Sequence, residues 1–250
     1  MLQTVRSRWG MVVAPHHLAA RAGARVLEEG GNAIEAMAAA ASTIAVAYPH
    51  MNALGGDNFW LIHAPGRDVV GIDACGAAAG KADLAFYAGH DTIPERGPLA
   101  ALTVAGAVSG WQEALTVSRS EWGGALPLAR LLEEAAFLAE DGIAVTWTQA
   151  ANTAGKLAEL KDAPGFAETY LDAGAPPREG DRFRQPRLAE TLRRLSRTGL
   201  DDFYRGGLAQ AIAADLSRAG SPLSLADLER HQALRVAPLT ATVAGQRLYN

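Results

Sequence analysis

Residues 50–62, HMNALGGDNFWLI, bring together residue types that a small-molecule site uses. His50 can exchange a proton near neutral pH, and Asp57 supplies a carboxylate. Gly55 and Gly56 have no Cβ that would hold a ligand away from the backbone. The simpler alternative is a tight turn with an exposed acid, next to a capping or surface histidine. The sequence therefore predicts a candidate site at this turn, with a plain turn as the alternative.

Cys75 is the only cysteine of the chain and a second candidate for chemistry. A thiol acts as a nucleophile in the thiolate form, which needs a nearby histidine or a positive field. The surrounding sequence, GIDACGAAAG, contains neither. We interpret Cys75 as a small, partly buried residue at the end of a strand, with a nucleophilic role as the alternative. A single cysteine also excludes an internal disulfide and a cysteine-only metal site.

Several well-known catalytic and nucleotide-binding motifs do not occur in this sequence. Without a G-x-S-x-G elbow an α/β-hydrolase is not indicated, and without a Walker loop or a G-x-G-x-x-G turn neither is a nucleotide site. The histidines have no H-E-x-x-H or other metal-ligand spacing, so we expect capping or surface residues, no metal and no cofactor. These histidines are His16, His17, His50, His63, His90 and His231.

The composition indicates a globular chain that does not bind nucleic acid. The 250 residues are 49% hydrophobic, enough for one large core, and the formal net charge is -4. Lysine and arginine are scattered along the chain, and the one arginine-rich segment, residues 182–197, reads as an exposed helix face. We interpret residues 1–250 as a single domain.

The sequence also bears on the cellular compartment. The start, MLQTVRSRWGMVVAPHH, has no apolar run long enough for a signal peptide, and the alanine-rich residues 33–48 are too short to span a bilayer. A single cysteine gives no sign of extracellular disulfide chemistry. We expect a soluble cytoplasmic protein with no membrane partner, and a periplasmic location is the alternative.

The first part of the chain predicts the elements that position the candidate residues. GMVVAP, residues 10–15, predicts a strand closed by proline. Helical spacing then predicts a helix over residues 16–29, which a glycine pair ends. Asn32 is placed to cap a second, buried helix that Pro49 ends. NFWLIHA and VVGIDAC, on either side of PGRD, predict an antiparallel hairpin.

The rest of the chain is mainly helical. PLAALTVAGAVSGWQEALTVS predicts a strand, a glycine turn and a helix, and glycine ends the helices predicted for LARLLEEAAFLAEDG, PRLAETLRRLSRTG and LAQAIAADLSRAG. Ser224 and Asp227 form a Ser-x-x-Asp cap of a short helix, and the tail LTATVAGQRLYN returns to strand. We interpret residues 151–187 as a long surface excursion. Strands early and late, with helices between them, favour the α+β class.

The order of these segments resembles the γ-glutamyltransferase family. The resemblance begins with VVAPHHLAARAGARVLEEGGNAIEAMAAAASTIAVAYPHMNALGGDNFWLI and continues through TVAGAVSGWQEAL, LLEEAAFLAEDGIAV, LAETLRRLSRTGLDDFYRGGLAQAIAADL and LSLADLERHQA. It covers nearly the whole chain, and its most specific motifs are the Gly-Gly-Asn-Ala of residues 30–33 and the Gly-Gly turn.

The resemblance implies an N-terminal-nucleophile hydrolase with a four-layer αββα sandwich that two subunits share. A precursor cuts itself, and the new N-terminal threonine of the small subunit attacks an amide carbonyl with its own α-amine as the general base. This chain resembles the first part of the large subunit, so no catalytic residue is expected in it. Thr240 and Thr242 lie in a strand-like tail that the family uses structurally.

The resemblance also bears on the substrate. In true γ-glutamyltransferases, the position that matches Cys75 is an arginine that binds the substrate α-carboxylate through two parallel hydrogen bonds. A thiol cannot replace this interaction. Arg67 lies in the hairpin turn and is not a substitute. The sequence YPHMNALGGDNFW also resembles the oxamate amidohydrolase branch, whose substrate is a small amide acid.

The resemblance and the residues together define the expected function. We expect a γ-glutamyl or small-amide acyl transferase or hydrolase whose substrate contacts Cys75, Gly55, Gly56, Asp57 and His50. Gly55 and Gly56 would let the backbone approach the pocket or the partner's nucleophile loop. The alternatives are an oxamate-type amidohydrolase without γ-glutamyl specificity and a catalytically inactive scaffold subunit.

Overall fold

The computed structural model describes residues 4–250; Met1, Leu2 and Gln3, on which part of the signal-peptide prediction falls, lie outside the described residues. Helices α1 to α10 span His17–Glu28, Ala33–Ala47, Ala107–Glu121, Leu128–Asp141, Trp147–Leu160, Phe166–Tyr170, Pro186–Thr198, Asp202–Arg205, Gly207–Ala219 and Leu225–Arg230. Strands β1 to β7 span Asn58–Ile62, Val70–Ala74, Ile143–Ala144, Arg182–Phe183, Leu234–Val236, Thr240–Val243 and Gln246–Tyr249.

Helices α1 and α2, both predicted from the sequence, pack on each other. Gly30 ends α1 with a φ of 88°, in the left-handed region that glycine adopts without strain. The Asn32 side chain accepts from the backbone N–H groups of Ile34 and Glu35, and the Glu35 carboxylate accepts from the Asn32 N–H in return. This capping box fixes the start of α2, which is buried along most of its length.

A three-stranded antiparallel sheet with the order β1-β2-β5 contains the predicted hairpin. Asn58 pairs with Ala74 and Ile62 with Val70, so the two ends of the PGRD turn are in register. Helix α3 packs on β1 and β2, and the apolar contacts of this layer include buried Ile62 and Ile72.

The opposite face of this sheet is exposed and mostly apolar, with Asp73 of β2 between Phe59 and Leu234. It presents Phe59 and Leu61 from β1 and Leu234 and Val236 from β5, with Phe59 65% exposed. The hairpin of β6 and β7 is exposed along both of its strands. Helix α3 covers only the other face of the sheet. Within residues 4–250, no helix or sheet packs over these four apolar side chains.

The helical part is built around α4, which packs on both α2 and α7. Glycines end α4 and α7, as predicted, and the Ser224–Asp227 capping box opens α10. Arginines of the basic segment 182–197 pair with acids of the protein. Arg182 binds Asp141, Arg193 binds Glu140, and Arg194 binds Asp202. The interpretation as an exposed helix face holds for the arginines of α7, but it is wrong for Arg182 and Phe183, which form β4.

The strand predicted for residues 10–15 is wrong. Residues 10–15 do not form a regular strand. Met11 and Val13 are exposed, and 77% of Val13 is accessible to solvent. Val12 instead packs its side chain on α1, where a Cβ at Gly23 would lie 2.9 Å from it. The pattern was that of a strand, but no neighbouring strand among the described residues pairs with it.

The surface excursion predicted for residues 151–187 is also partly wrong, because α5 occupies its first ten residues. Thr146 caps this helix with its hydroxyl on the Gln149 N–H, at 3.1 Å. The strand predicted in PLAALTV is reduced to a single bridge between Ala78 and Thr103. The tail prediction holds, as two strands joined by a turn at Ala244 and Gly245.

Two glycines allow the end of β2 to lie directly against the segment that leads into α3. A Cβ at Gly76 would be 1.6 Å from the Val104 carbonyl oxygen, and one at Gly106 would be 1.7 Å from that of Ala74. The Val104 N–H donates to the Ala77 carbonyl at 3.0 Å. The two backbones therefore meet at a distance that any side chain at these two positions would prevent.

We expect Gly106→Ala to lower the free energy of unfolding by about 3 kcal/mol or more, because the new methyl group meets rigid backbone. Gly155→Ala is the matched control, since Gly155 is exposed within α5 with nothing within 4 Å of the new Cβ. It should leave stability unchanged or raise it by up to about 1 kcal/mol. Chemical denaturation of the complete protein measures both, and equal effects of the two variants would contradict the prediction.

Candidate functional site

The glycine turn, residues 54–57, is fastened to the start of α3. The Gly56 carbonyl accepts from the N–H groups of Gly106 and Ala107, at 3.0 and 2.8 Å. Helix α3 has no capping side chain at Gly106, so this carbonyl satisfies two of its free N–H groups. The turn is thus held by a helix that begins some fifty residues later in the chain.

Asp57 joins the glycine turn to the end of β2. Its Oδ1 accepts from the Gly76 N–H at 3.1 Å, across a separation of 19 residues. Nearby, the Asp73 Oδ1 accepts from the Cys75 N–H at 2.9 Å. The hydrogen bond from Gly76 to Asp57 orients the turn, and the Asp57 side chain is also exposed.

Cys75 lies beside these two carboxylates and is exposed, so the expected partial burial is wrong. The charge of Asp57 is the main cause that raises the pKa of the thiol, and Asp73 and a hydrogen bond to Asp57 add to it. A raised pKa disfavours the thiolate. The structure therefore gives no activation of Cys75 as a nucleophile, in agreement with the sequence interpretation.

His50 is directed to a different part of the molecule. Its ring lies 4.2 Å from that of Tyr48, and its Nε2 is 3.1 Å from the Thr148 hydroxyl on α5. Burial lowers its pKa, and its Nδ1 is buried with no hydrogen-bond partner among the described residues. His50 is part of the segment that precedes the glycine turn, but its hydrogen bond is to α5 and not to Asp57 or Cys75.

Arg67 is engaged away from the glycine turn. It donates to the Glu121 carbonyl at 2.9 Å and lies over the Trp122 ring, 5.7 Å from its centroid. Both contacts are at the end of α3, the opposite end from Gly106. This agrees with the sequence interpretation, which did not assign Arg67 to the site.

His231 is a residue of this region that the sequence did not indicate. It is only 7% exposed, so the expectation of a capping or surface histidine is wrong here. Its Nε2 would be 3.4 Å from a Cβ at Gly106, and its ring lies 5.2 Å from that of Tyr204. Burial and the charge of Arg205 lower its pKa, against the opposing charge of Asp57.

Tyr204 stabilises the start of α3 from the protein interior. Its hydroxyl donates to the Ala105 carbonyl and accepts from the Ser109 N–H, both at 2.8 Å. The Ser109 hydroxyl in turn accepts from the Ala233 N–H at 2.7 Å. No local sequence pattern predicts these contacts, because their partners are 95 to 124 residues apart.

The described residues include no candidate metal site and no candidate membrane span. Within residues 4–250, no three histidine, cysteine, aspartate or glutamate side chains are grouped so that they could hold a metal ion. In the same part of the chain, no helix is both long and apolar enough to cross a membrane.

Comparison with solved structures defines the class of protein. A gamma-glutamyltranspeptidase from Pseudomonas nitroreducens, solved in complex with L-DON, matches with a TM-score of 0.86 and 30% identity over 98% of this chain and 71% of that one. The Helicobacter pylori gamma-glutamyltranspeptidase matches with a TM-score of 0.90 and 27% identity, over 99% of this chain and 71% of that one. These matches confirm the α+β, N-terminal-nucleophile hydrolase fold.

The chain belongs to the gamma-glutamyltranspeptidase family, whose sequence model matches residues 19–250. It is 58% identical to the oxamate amidohydrolase proenzyme of Klebsiella pneumoniae over 244 residues, which are 98% of this chain and 46% of that protein. It is 34% identical to the acylase ACY 1 proenzyme of Pseudomonas sp. strain SE83, over 96% of this chain and 44% of that protein. The chain thus spans about half the length of these relatives, which are named as hydrolytic enzymes.

We expect Asp57→Asn to lower the pKa of the Cys75 thiol, because it removes the main charge that raises it. The asparagine can still accept the Gly76 N–H. At a fixed pH below the thiol pKa, the variant should react severalfold faster with iodoacetamide, and Cys75 is the only cysteine of this chain. Mass spectrometry of the Cys75 peptide measures the rate. Asp73→Asn should have a smaller effect, and a rate in Asp57→Asn equal to wild type would contradict the assignment.

Proposed function

We propose that this chain is the large-subunit part of a γ-glutamyltranspeptidase-family enzyme that cleaves or transfers the acyl group of an amide. The attacking hydroxyl belongs to an N-terminal threonine outside residues 1–250, on the small subunit of the processed protein. The observation that carries this proposal is the coverage of the relatives: the chain matches proenzymes over less than half of their length. On this proposal residues 1–250 form one domain, which is inactive alone.

The described residues support a nucleophile from elsewhere. The pKa of the Cys75 thiol is raised, which disfavours attack by this side chain. Thr240 and Thr242 lie in the exposed hairpin of β6 and β7, which is a different sheet from that of β2, the strand that Cys75 follows. The proposal therefore needs a second polypeptide, or a further segment of the precursor, to complete the reaction.

The surface of the chain also suits such a partner. The apolar face with Phe59, Leu61, Leu234 and Val236 is exposed, and sheets bury such faces by packing on another sheet about 10 Å away. In the proposed αββα sandwich, the second sheet comes largely from the small subunit and covers this face.

The proposed reaction is acyl transfer through a covalent ester. The threonine hydroxyl adds to the amide carbonyl while the threonine α-amine takes its proton, and the C–N bond then breaks as the amine leaves with that proton. Water, or an acceptor amine in transfer, adds to the ester carbonyl, and the threonine oxygen is released and protonated. The roles proposed for this chain are to shape and orient the pocket.

The glycine turn is proposed to be part of that pocket. Gly55 and Gly56 do not have positive φ angles, and nothing lies within 4 Å of a Cβ built on Gly55. The fold of the described residues therefore does not require glycine at position 55. Close approach of the substrate or of the partner's nucleophile loop would require it. Asp57 orients the turn through Gly76, and His50 holds the preceding segment on α5.

For the substrate, we propose a small amide acid of the oxamate type, cleaved by hydrolysis. The 58% identity to an oxamate amidohydrolase proenzyme supports this choice over γ-glutamyl transfer. The charges around Cys75 support it as well, because the carboxylates of Asp57 and Asp73 would repel the distant α-carboxylate of a γ-glutamyl group. A small amide acid does not have to reach position 75 with its carboxylate.

Processing tests the class of enzyme. We expect the complete protein, expressed with any chain beyond Asn250, to mature into two polypeptides, the second of which begins with threonine. Intact-mass and N-terminal peptide analysis measure this directly. Replacement of that threonine by alanine should leave a single precursor without amidase activity. A single uncut chain that hydrolyses oxamate, or cleavage before another residue, would contradict the proposal.

Substrate tests separate the alternatives. We expect the mature enzyme to release ammonia from oxamate faster than it cleaves glutathione or a γ-glutamyl anilide, measured as kcat/KM. A preference for the γ-glutamyl substrates would favour the transferase alternative. No turnover of any of them, in a correctly folded two-subunit protein, would favour the scaffold alternative.

Position 75 offers a sharper test of the site. Cys75→Arg alone should change the KM for a γ-glutamyl anilide little, because Asp57 would pair with the guanidinium. Cys75→Arg together with Asp57→Asn should lower that KM about tenfold or more, because the arginine can then form charge-assisted hydrogen bonds to the substrate α-carboxylate. Asp57→Asn alone is the control. If the double variant gains nothing while oxamate turnover persists, Cys75 does not lie in the substrate site.

A further inference from the structure

Helix α1 begins with a histidine as its N-cap. The His16 Nδ1 accepts the Leu18 N–H at 3.3 Å, and His16 has the extended backbone of a capping residue. An imidazole can accept a hydrogen bond only through an unprotonated nitrogen. The cap therefore exists only while His16 is neutral, whereas the amide cap of Asn32 on α2 does not titrate.

The surroundings of His16 disfavour its protonated form. The His17 ring is stacked on it with centroids 4.6 Å apart, and two imidazolium rings at that distance would repel each other. Both rings stand at the N-terminus of a helix, where the dipole disfavours a cation. Burial and the charge of His17 both lower the pKa of His16.

A further imidazole lies behind this pair. The Tyr48 ring faces His16 at 6.4 Å, and the His50 ring lies 4.2 Å beyond Tyr48. Among the described residues, the titratable rings that lie near His16 are therefore His17 and Tyr48, with His50 next along the row. These rings connect the start of α1 to the end of α2 and, through Thr148, to α5.

We propose that His16 is an acid-sensitive N-cap, which fastens the first turn of α1 at neutral pH and releases it when the imidazole takes up a proton. The ligand that it senses is the proton, and the element that responds is the first turn of α1 together with residues 4–15 before it. This proposal does not depend on the proposed enzymatic function.

The sign of the effect follows from the direction of the shift. A histidine whose pKa is lowered in the folded state binds fewer protons there than in the unfolded chain. Its contribution to stability is complete above the ordinary histidine value of about 6.5 and decreases as the pH falls from there through the lowered pKa. The start of α1 should therefore loosen under mildly acidic conditions.

Hydrogen exchange of the complete protein tests the proposal. Between about pH 7.5 and about pH 5.5, a window that contains the histidine titration, protection of the peptide over residues 18–22 should fall roughly tenfold, after correction for the intrinsic exchange rate. The start of α2, with its Asn32 cap, is the internal control and should keep its protection. No change at the start of α1, or an equal loss at both helices, would overturn the proposal.

Two variants separate the cap from other effects of acid. In His16→Asn the amide oxygen accepts the same N–H at any pH, so the acid-induced loss of hydrogen-exchange protection should disappear. In His17→Gln the neighbouring charge is removed, so the loss should begin at a higher pH than in wild type. The proposal would be overturned if a folded His16→Asn protein lost as much protection in acid as wild type does. It would also be overturned if the pH midpoint of that loss were the same in His17→Gln as in wild type.

Discussion

The contact of two backbones at Gly76 and Gly106 is the constraint on which the candidate site depends. Because neither residue has a Cβ, the end of β2 and the start of α3 lie against each other with carbonyl oxygens where side chains would be. This contact places the first N–H groups of α3 within reach of the Gly56 carbonyl, and the Gly76 N–H within reach of Asp57. The glycine turn is therefore positioned by glycines outside its own motif.

The parts of the fold that the sequence predicted are those with local signals. Asn32 and Ser224 cap helices with partners two or three residues away, Gly142 and Gly199 end them, and the PGRD turn closes a hairpin of neighbouring strands. The failures share a different property. Residues 10–15 have the composition of a strand but no strand to pair with, and α5 lies in a segment whose proline and glycine content suggested a loop.

The candidate site was predictable only in part, for the same reason. Sequence alone indicated Gly56, Asp57 and Cys75, which the fold brings together. It could not indicate that His50 bonds to Thr148, 98 residues away, or that His231 is buried behind Gly106. Those contacts are set by the packing of α3, α5 and α8, and a lone histidine carries no pattern from which its partner can be read.

On the proposed function, the charges near position 75 limit what this fold binds. The carboxylate of Asp57 raises the pKa of the Cys75 thiol. On the proposed function the same charge would also repel an anionic substrate group, so it would act on both nucleophilicity and selectivity. Asp57 also has a structural task, since it accepts the Gly76 N–H at the contact on which the site depends. An amide at this position can perform the structural task without the charge. The two contributions of Asp57 are therefore physically separable, and on the proposed function it is the charge, not the hydrogen bond, that distinguishes a small amide acid from a γ-glutamyl group.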